Sequence, residues 1–431
     1  MLEPVETPSR ADTRWWTHFD DPVLEGLVET SLASDLDAAR ARDRLQQAEA
    51  EAGARAAPGA RAMHVSSSGS AGDGIGLWGR LARIGEFGSA GRAALARLEA
   101  TEYGTDEAKR AVLAEVAQSY ADLRYSQASR AFRMQDRASR RKTLRTAMMQ
   151  ARTGKATRLD VMSARSLLAE TKAELPRLDS EIDRSRKRLA ALLDVPVHDL
   201  QRDLAFRGRQ PAPVETGRPG IPADLLRARS DIRRAEQLYA EAVSGLSPQK
   251  AARYPGLRLS GLILAPHEDS LHAKPLAEGL VMPVFKAPAP VADSEAAETR
   301  AGQAYLQWRV AVLNAVEEVE ISQVLLRSAQ KAAQAAQETV ETNRRALTSA
   351  RGSQADQGTM PVAEVLERER ALSASRRALA QNMRDVAVAY VQLHVALGRG
   401  HPVSAEKMEI DRAPSSVSSR HAAAVDLTAF N

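Results

Sequence analysis

The chain has 431 residues, a formal net charge of +5, no cysteine, and aromatic side chains at only 4 % of positions. The missing cysteine excludes disulfides, thiolate metal sites and cysteine nucleophiles, and the lack of any run of about 18 apolar residues excludes a transmembrane helix. Few aromatic residues and many Ala, Arg, Glu and Leu residues favour long paired helices over a thick globular core, and interleaved acids and bases argue against a nucleic acid partner.

The first expected element is an N-terminal arm, residues 1–13, which is polar and lacks the basic and then apolar pattern of a signal peptide. An aromatic cluster follows it, made of Trp15, Trp16 and Phe19. Such a cluster could form a belt at a membrane surface. Its position just before a helix instead favours an anchor that holds the arm on the body of the protein.

Helices are expected to fill most of the first half. The acidic pair Asp20-Asp21 before Pro22 is typical of a helix N-cap with proline in the first turn. Four helices follow from the periodicity, with a Gly/Ser-rich loop or poor hairpin between the second and the third. The helices cover about 23–32, 35–57, 80–152 and 158–193, and the Gly/Ser-rich segment covers 58–79. A break in the third helix near Gly85–Gly91 is left open.

The second half has the same order of elements. A linker with five prolines, residues 195–222, joins the halves. Beyond it the sequence predicts a helix, a β-hairpin and two long helices. The helices cover about 224–243, 292–355 and 361–397, and the two strands cover 256–264 and 276–285. The Ser/Ala-rich residues 401–431 are predicted to be disordered.

The two halves share a seven-residue apolar repeat, about 200 residues apart, which is typical of a coiled-coil seam. The first copy comprises Val161, Leu168, Leu175, Ile182, Leu189 and Leu193, and the second comprises Val365, Leu372, Leu379, Val386, Leu393 and Leu397. We therefore predict a mainly α fold of long antiparallel coiled-coil hairpins in two tandem repeats. The first repeat spans 1–210, the second spans 211–400, and a tail follows.

Patterns that would indicate an enzyme are missing from the sequence. The segment Gly74–Gly79 has the spacing G-x-G-x-x-G, but no convincing strand precedes it, as a dinucleotide site requires. The eight histidines are scattered without metal-ligand spacing, and no nucleophile elbow or catalytic carboxylate pair occurs. The sequence predicts no catalysis, no cofactor and no metal.

Five short motifs resemble those of one known family. Residues 15–22 are similar to its W-W-x-x-F-x-D-P, and residues 77–81 to its L-F-G-R-L. Residues 222–232 nearly repeat its P-x-x-L-L-x-x-R-P-D-I, with Ser230 in place of proline, and residues 255–261 match P-x-L-x-L-x-G. Two G-x5-[DE]-V elements resemble its hairpin turns. The family is that of the TolC-like outer-membrane efflux channels, in the branch that serves resistance-nodulation-division pumps.

The resemblance covers about residues 14–398 and implies a homotrimer. In this family short β-hairpins from each protomer build a shared barrel among outer-membrane lipids, and the long helices form a tunnel across the periplasm. Substrates diffuse through without chemistry. A periplasmic adaptor protein and an inner-membrane pump dock at the tips of the helical hairpins. The expected location is therefore the outer membrane with a periplasmic helical extension.

The resemblance also assigns roles at the tips. Glu364 and Glu367 match two acidic positions at the closed end of the tunnel, and Asp160 occupies the matching place in the first repeat. Carboxylates around an aperture would select cations, whereas the alternative is that they are solvated groups at helix ends. The expected adaptor-docking tips comprise Gly154, Val161, Gly358 and Val365.

Three departures from the family pattern leave an alternative open. The segments 58–79 and 255–285 are short for pairs of membrane strands, which need about 9–11 residues each. No leader and no N-terminal cysteine for a lipoprotein anchor are visible. The alternative is a soluble trimeric helical scaffold, or a degenerate member of the family without a working pore.

Overall fold

The computed structural model describes a mainly helical chain. The described residues are 14–34, 88–200, 204–205, 209–213, 221–222, 229–244, 246, 257, 262–263, 295–356 and 360–399. A 3-10 helix, Trp15–Phe19, precedes α1 (Pro22–Ser34), α2 (Gly88–Arg152), α3 (Arg158–Leu193), α4 (Val197–Leu200), β1 (Ile221–Pro222), α5 (Ser230–Ser244), β2 (Leu262–Ile263), α6 (Glu295–Asp356) and α7 (Val362–Ala396). Among these residues no helix combines the length and the hydropathy that crossing a bilayer requires.

The predicted long helices are confirmed. The helix α2 has 65 residues and α6 has 62, so each spans roughly 90–100 Å at 1.5 Å per residue. The helix α2 continues through Gly91 and Gly104 without a break. The predicted helix 35–57, the Gly/Ser-rich segment 58–79, the strand 276–285 and the tail 401–431 lie outside the described residues.

One predicted helix boundary is wrong. The helix expected from Asp224 has its N-cap at Arg229, whose carbonyl accepts the first helical hydrogen bond from the Arg233 N–H at 3.0 Å. The Arg229 side chain contacts the end of α7, where it donates to the Ala396 carbonyl at 2.6 Å. This long-range contact fixes Arg229 outside α5, which local propensity could not indicate.

The proline-rich linker contains two short elements that the sequence did not predict, α4 and β1. The strand β1 pairs antiparallel with β2, placing Ile221 opposite Ile263 and Pro222 opposite Leu262. Of the strand predicted over 256–264, the described residues are Leu257, Leu262 and Ile263, and only the last two form a strand, β2. Leu257 is not in a strand and packs instead against the main hydrophobic core.

The helices pack as two hairpins that lie side by side. The helix α3 turns back along the second half of α2, and α7 turns back along the second half of α6. The helix α5 contacts the first halves of both α2 and α6, and α7 also packs on α2. As the heptad pattern predicts, most seam residues are buried, whereas Val161, Leu175 and Leu379 are half-buried.

The N-terminal aromatic cluster is the anchor that its position predicts. Trp15, Trp16 and Phe19 are buried, and Trp15 stacks on His394 of α7 with ring centroids 6.0 Å apart. The Asp21 carboxylate caps α1 by accepting the Val23 backbone N–H at 3.0 Å. The segment Trp15–Phe19 is thereby fixed to the end of the second hairpin, and the arm 1–13 lies outside the described residues.

Candidate functional site at the hairpin ends

The first hairpin reverses direction at Gly154. This residue has φ +75°, a left-handed conformation that glycine adopts without the strain of a side chain. The Lys155 N–H donates to the Gln150 carbonyl at 2.8 Å and the Gly154 N–H donates to the Ala151 carbonyl at 3.3 Å. These two bonds form the Schellman motif that ends many helices. The turn predicted at Gly154 is confirmed.

Asp160 lies at the start of α3, where it caps the helix. Its carboxylate accepts hydrogen bonds from the Thr157 backbone N–H at 2.8 Å and from the Thr157 hydroxyl at 2.7 Å. The Asp160 N–H donates to the Thr157 hydroxyl oxygen at 3.1 Å. This reciprocal arrangement is a capping box, which satisfies donors that a helix start leaves unpaired. Asp160 is therefore already engaged within its own turn.

Glu364 and Glu367 lie on the first turns of α7, and each is paired with an arginine of the same helix. Glu364 contacts Arg368 at 2.5 Å and Glu367 contacts Arg370 at 3.3 Å. All four side chains are at least partly exposed, so solvent screens these pairs and they contribute little stability. Their effect is electrostatic: the negative charge of the two carboxylates is accompanied by an equal positive charge. Gly358, the expected glycine of this turn, lies outside the described residues.

The two valines of the expected docking tips pack in apolar clusters between helices. Val365 is fully buried in a cluster with Leu347 and Leu372 between α6 and α7. Val161 is half-buried beside a second cluster, in which Leu167 of α3 meets Leu366 of α7. The second cluster joins the ends of the two hairpins, because α3 and α7 belong to different ones.

The first tip exposes three large apolar side chains, a feature that the sequence reasoning missed. Met149 on the last turn of α2 is 67 % exposed, and Leu159 and Met162 on the first turns of α3 are 72 % and 60 % exposed. Large apolar side chains this exposed and this close in the hairpin form a patch that water solvates poorly. This apolar patch lies on the two helix ends that flank Gly154, and exposed basic side chains such as Arg152 and Lys155 lie between its members.

A buried polar network crosses between the hairpins above these tips. The Ser373 hydroxyl of α7 donates to Asp136 of α2 at 2.6 Å and accepts from Arg133 of α2 at 2.6 Å. Arg376 adds an ion pair to Asp136 at 3.3 Å. A buried carboxylate is stable only when it is paired and hydrogen-bonded. The network therefore defines one register between α2 and α7.

A second polar network lies one helical turn closer to the tips and is centred on Glu369. One carboxylate oxygen, Oε1, accepts hydrogen bonds from Ser139 at 2.8 Å and Thr143 at 2.7 Å, both on α2. The same oxygen accepts from Arg351 of α6 at 2.5 Å. Glu369 is 3 % exposed, and its contacts connect α2, α6 and α7.

The sequence carried a signal for both networks. Glu369 and Arg376 occupy the second seam position of the repeat, four residues after Val365 and Leu372, where a coiled coil ordinarily places an apolar residue. Charged residues at seam positions indicate buried polar contacts with a neighbouring helix. The partners of Glu369 and Arg376 could be identified only from the folded structure.

Comparisons with known proteins agree with this architecture. The model of the family described as "OEP: Outer membrane efflux protein" matches residues 27–194. The protein described as nodulation protein T of Rhizobium leguminosarum bv. trifolii is 31 % identical over 412 residues, covering 90 % of this chain and 88 % of that protein. The chain belongs to the outer membrane efflux protein family.

Further similarities agree with this assignment. The pyoverdine export outer membrane protein OpmQ of Pseudomonas aeruginosa is 28 % identical over 424 residues, covering 90 % of this chain and 87 % of that protein. The solved structure of the outer-membrane channel OprN has the same fold, with a TM-score of 0.66 at 23 % identity over 93 % of this chain and 97 % of that one.

The family resemblance predicted from the five motifs is confirmed. This outer membrane efflux protein is the outer-membrane channel component of a tripartite efflux pump, and it is a passive export conduit across the periplasm and the outer membrane. Its family is a class of transport channels and not a class of enzymes.

Proposed function

We propose that this efflux channel works as a homotrimer inserted among outer-membrane lipids, with its hairpin tips docked on a periplasmic adaptor protein and an inner-membrane pump. The single observation that carries the proposal is an uncovered apolar stripe on α6. It consists of two segments on one helix face, separated by the exposed Glu317, and its members are between 38 % and 57 % exposed in the isolated chain: Leu306, Val310 and Leu313 in the first segment, and Ile321 and Val324 in the second.

A second copy is the occupant that best suits this stripe. A tunnel requires helices from neighbouring protomers to close a ring, and a helix face whose apolar residues recur every three or four positions packs well against another helix. Buried apolar area contributes about 25 cal/mol per Å². Repeated along α6 at every protomer boundary, such contacts favour the trimer over the monomer.

The apolar patch at the first tip supports adaptor docking. Met149, Leu159 and Met162 would supply the contact surface, and Gly154 and Val161 would set the shape of the turn beneath them. In the second hairpin, Gly358 and Val365 would have the same supporting roles. Methionine adapts its side chain to differently shaped partners, which suits a tip that must accept a separate protein.

The acidic residues support a cation-preferring aperture. Glu364 and Glu367 from three protomers would surround the axis, with Asp160 holding the neighbouring turn in shape through its capping box. The arginines paired with both glutamates would weaken the field of such a ring. We also propose that the chain divides near residue 210 into the two structural repeats expected from the heptads.

Planar-bilayer recording combined with analytical ultracentrifugation tests the proposal. The purified protein in detergent should sediment as a trimer and conduct ions. The variant Glu364→Gln/Glu367→Gln should conduct with reduced cation preference and a weaker dependence of that preference on pH. Val310→Glu should weaken the trimer, whereas Gln307→Glu, on a polar face of the same helix, should not. A monomer in detergent, or a silent bilayer, would contradict the proposal and favour a scaffold without a pore.

A further inference from the structure

A cavity of about 200 Å³ lies between α2, α6 and α7, on the side of the polar networks that faces α6. It is lined by six charged side chains, which are Asp136, Arg140, Arg344, Arg351, Glu369 and Arg376. Four guanidinium groups face two carboxylates, so the walls carry an excess of positive charge. Both hairpins contribute residues to this cavity.

The two carboxylates do not neutralise all four arginines. Arg351 pairs with Glu369 and Arg376 pairs with Asp136, while Arg344 pairs with Glu341 outside the cavity. Arg140 has no ion pair among the described residues.

Arg140 is nonetheless deeply buried, at 5 % exposed. Its Nη1 donates to the Leu167 carbonyl at 3.2 Å and also to the Thr171 hydroxyl. Burial lowers the pKa of Arg140, although the nearby carboxylates of Asp136 and Glu369 partly compensate. A buried cation whose direct contacts are only neutral oxygens would be stabilised by an anion in the adjoining cavity.

Two buried polar atoms of the cavity residues lack a hydrogen-bond partner within the described part of the chain. One is a donor, the Nε–H of Arg140, and the other is an acceptor, Oε2 of Glu369. Both residues are more than nine-tenths buried. Buried polar groups are normally satisfied, so a group that fits this cavity must accept from Arg140 and donate to Glu369.

We propose that this cavity is a binding site for a protonated tetrahedral oxyanion, namely hydrogen phosphate or a phosphate monoester with one protonated oxygen. Its unprotonated oxygens accept from the arginines, which present planar forks suited to phosphate. Its hydroxyl donates to Oε2 of Glu369. Sulfate has the same shape and no proton at neutral pH, so its oxygen would face the Glu369 carboxylate without a hydrogen between them.

Binding at this site has a structural consequence. The ligand contacts α2 of the first hairpin and α6 and α7 of the second, so it stabilises the arrangement in which the three helices meet. A ligand that binds only this arrangement raises its stability by mass action. The site does not depend on the trimer, the aperture or the adaptor.

Equilibrium dialysis of the purified full chain in detergent tests the proposal, with radiolabelled inorganic phosphate as the probe. The expected result is saturable binding that excess unlabelled phosphate displaces and equal sulfate does not. Binding that sulfate displaces equally well would overturn the assignment of a protonated oxyanion. An absence of saturable binding would overturn the site itself. Repeating the displacement with a soluble phosphate monoester separates free phosphate from an ester as the preferred ligand.

A matched pair of arginine variants locates the site. Arg344 and Arg345 both contact Glu341 at 2.8 Å and both are largely exposed, but only Arg344 lines the cavity. Arg344→Gln should weaken phosphate binding roughly tenfold, the effect of losing one charge-assisted hydrogen bond. Arg345→Gln should leave it unchanged. Equal affinities in the two variants would overturn the location.

The variant Glu369→Gln tests the origin of selectivity. The amide keeps an acceptor oxygen for Ser139, Thr143 and Arg351, and it places an N–H donor where Oε2 stood. Sulfate should then displace phosphate, because its unprotonated oxygen gains a donor. Continued exclusion of sulfate by Glu369→Gln, in a protein whose circular dichroism matches that of the wild type, would show that this carboxylate does not select the ligand.

Discussion

Asp136 and Ser373 are 237 positions apart in the chain, yet the Ser373 hydroxyl donates to the Asp136 carboxylate across a distance of only 2.6 Å. The hydroxyl oxygen also accepts from Arg133, so one small side chain of α7 bonds to both an acid and a base of α2. Since α2 and α7 belong to different hairpins, this contact helps to hold the two repeats in register.

Replacing Ser373 by alanine should therefore destabilise the protein. The variant Ser373→Ala loses both hydrogen bonds to charged partners, and the expected cost is about 1–3 kcal/mol in the free energy of unfolding. Chemical denaturation in detergent, followed by circular dichroism, measures this cost. Ser180→Ala is the control, because the exposed Ser180 hydroxyl bonds only to the Pro176 carbonyl of its own helix. Equal midpoints in the two variants would contradict the role given to Ser373.

The helices could be predicted because their information is local. A seven-residue apolar repeat fixes the period, and signals such as Gly154 and the Thr157–Asp160 capping box mark the ends. The contacts between the two hairpins could not be predicted, because a single sequence does not indicate that Ser373 contacts Asp136. Arg229 was misplaced for the same reason: its partner, the Ala396 carbonyl, is 167 positions away.

The tips show a different limit. An acid at Asp160 suits both an aperture and a helix cap, and the sequence motif is the same for both. The structure adds that its carboxylate is occupied by Thr157. Likewise, the sequence identified Glu364 and Glu367 as acids but gave no weight to Arg368 and Arg370, because pairing depends on side-chain geometry and not on composition.

Removing those two arginines should make the channel more cation-selective. In Arg368→Gln/Arg370→Gln the carboxylates of Glu364 and Glu367 keep their charge but lose their counter-charges. The negative potential at the tip should then rise. In a salt gradient across a bilayer, the reversal potential should shift toward the equilibrium potential of the cation. The shift should be smaller at high salt because of screening.

A comparable arginine remote from the tip provides the control for this measurement. Arg177 on α3 is 80 % exposed and pairs with Glu181 four residues further along the same helix. Arg177→Gln should leave the reversal potential unchanged. If Arg368→Gln/Arg370→Gln gives the wild-type potential as well, the two acids do not face the conduction path.

Two glycine substitutions should change stability in opposite directions. At Gly154 and at Gly352 an added methyl group would meet no atom within 4 Å, so only the backbone conformation matters. Gly154 has φ +75°, and Gly154→Ala should cost about 1–2 kcal/mol. Gly352 lies within α6, and Gly352→Ala should stabilise by roughly 0.5–1 kcal/mol. Denaturation midpoints that move in the same direction would contradict this account of the turn.

The buried His394 should make stability fall in mild acid. Burial lowers the pKa of His394 well below 6.5, and the neighbouring Arg399 and His18 lower it further. The folded protein thus keeps the imidazole neutral, whereas the unfolded chain takes up a proton as the pH falls below about 6.5. Stability from this group is complete above that pH and declines below it, by about 1.4 kcal/mol at a pH near 5.5.

The variant His394→Phe isolates this contribution, because phenylalanine fills the same aromatic site beside Trp15 and Tyr390 and cannot be protonated. The drop in thermal midpoint between about pH 7.5 and about pH 5.5 should be smaller in the variant than in the wild type. His198→Gln serves as the control, since His198 is 77 % exposed and its replacement should leave the drop unchanged. A variant that loses as much stability in acid as the wild type would assign the acid sensitivity to other groups.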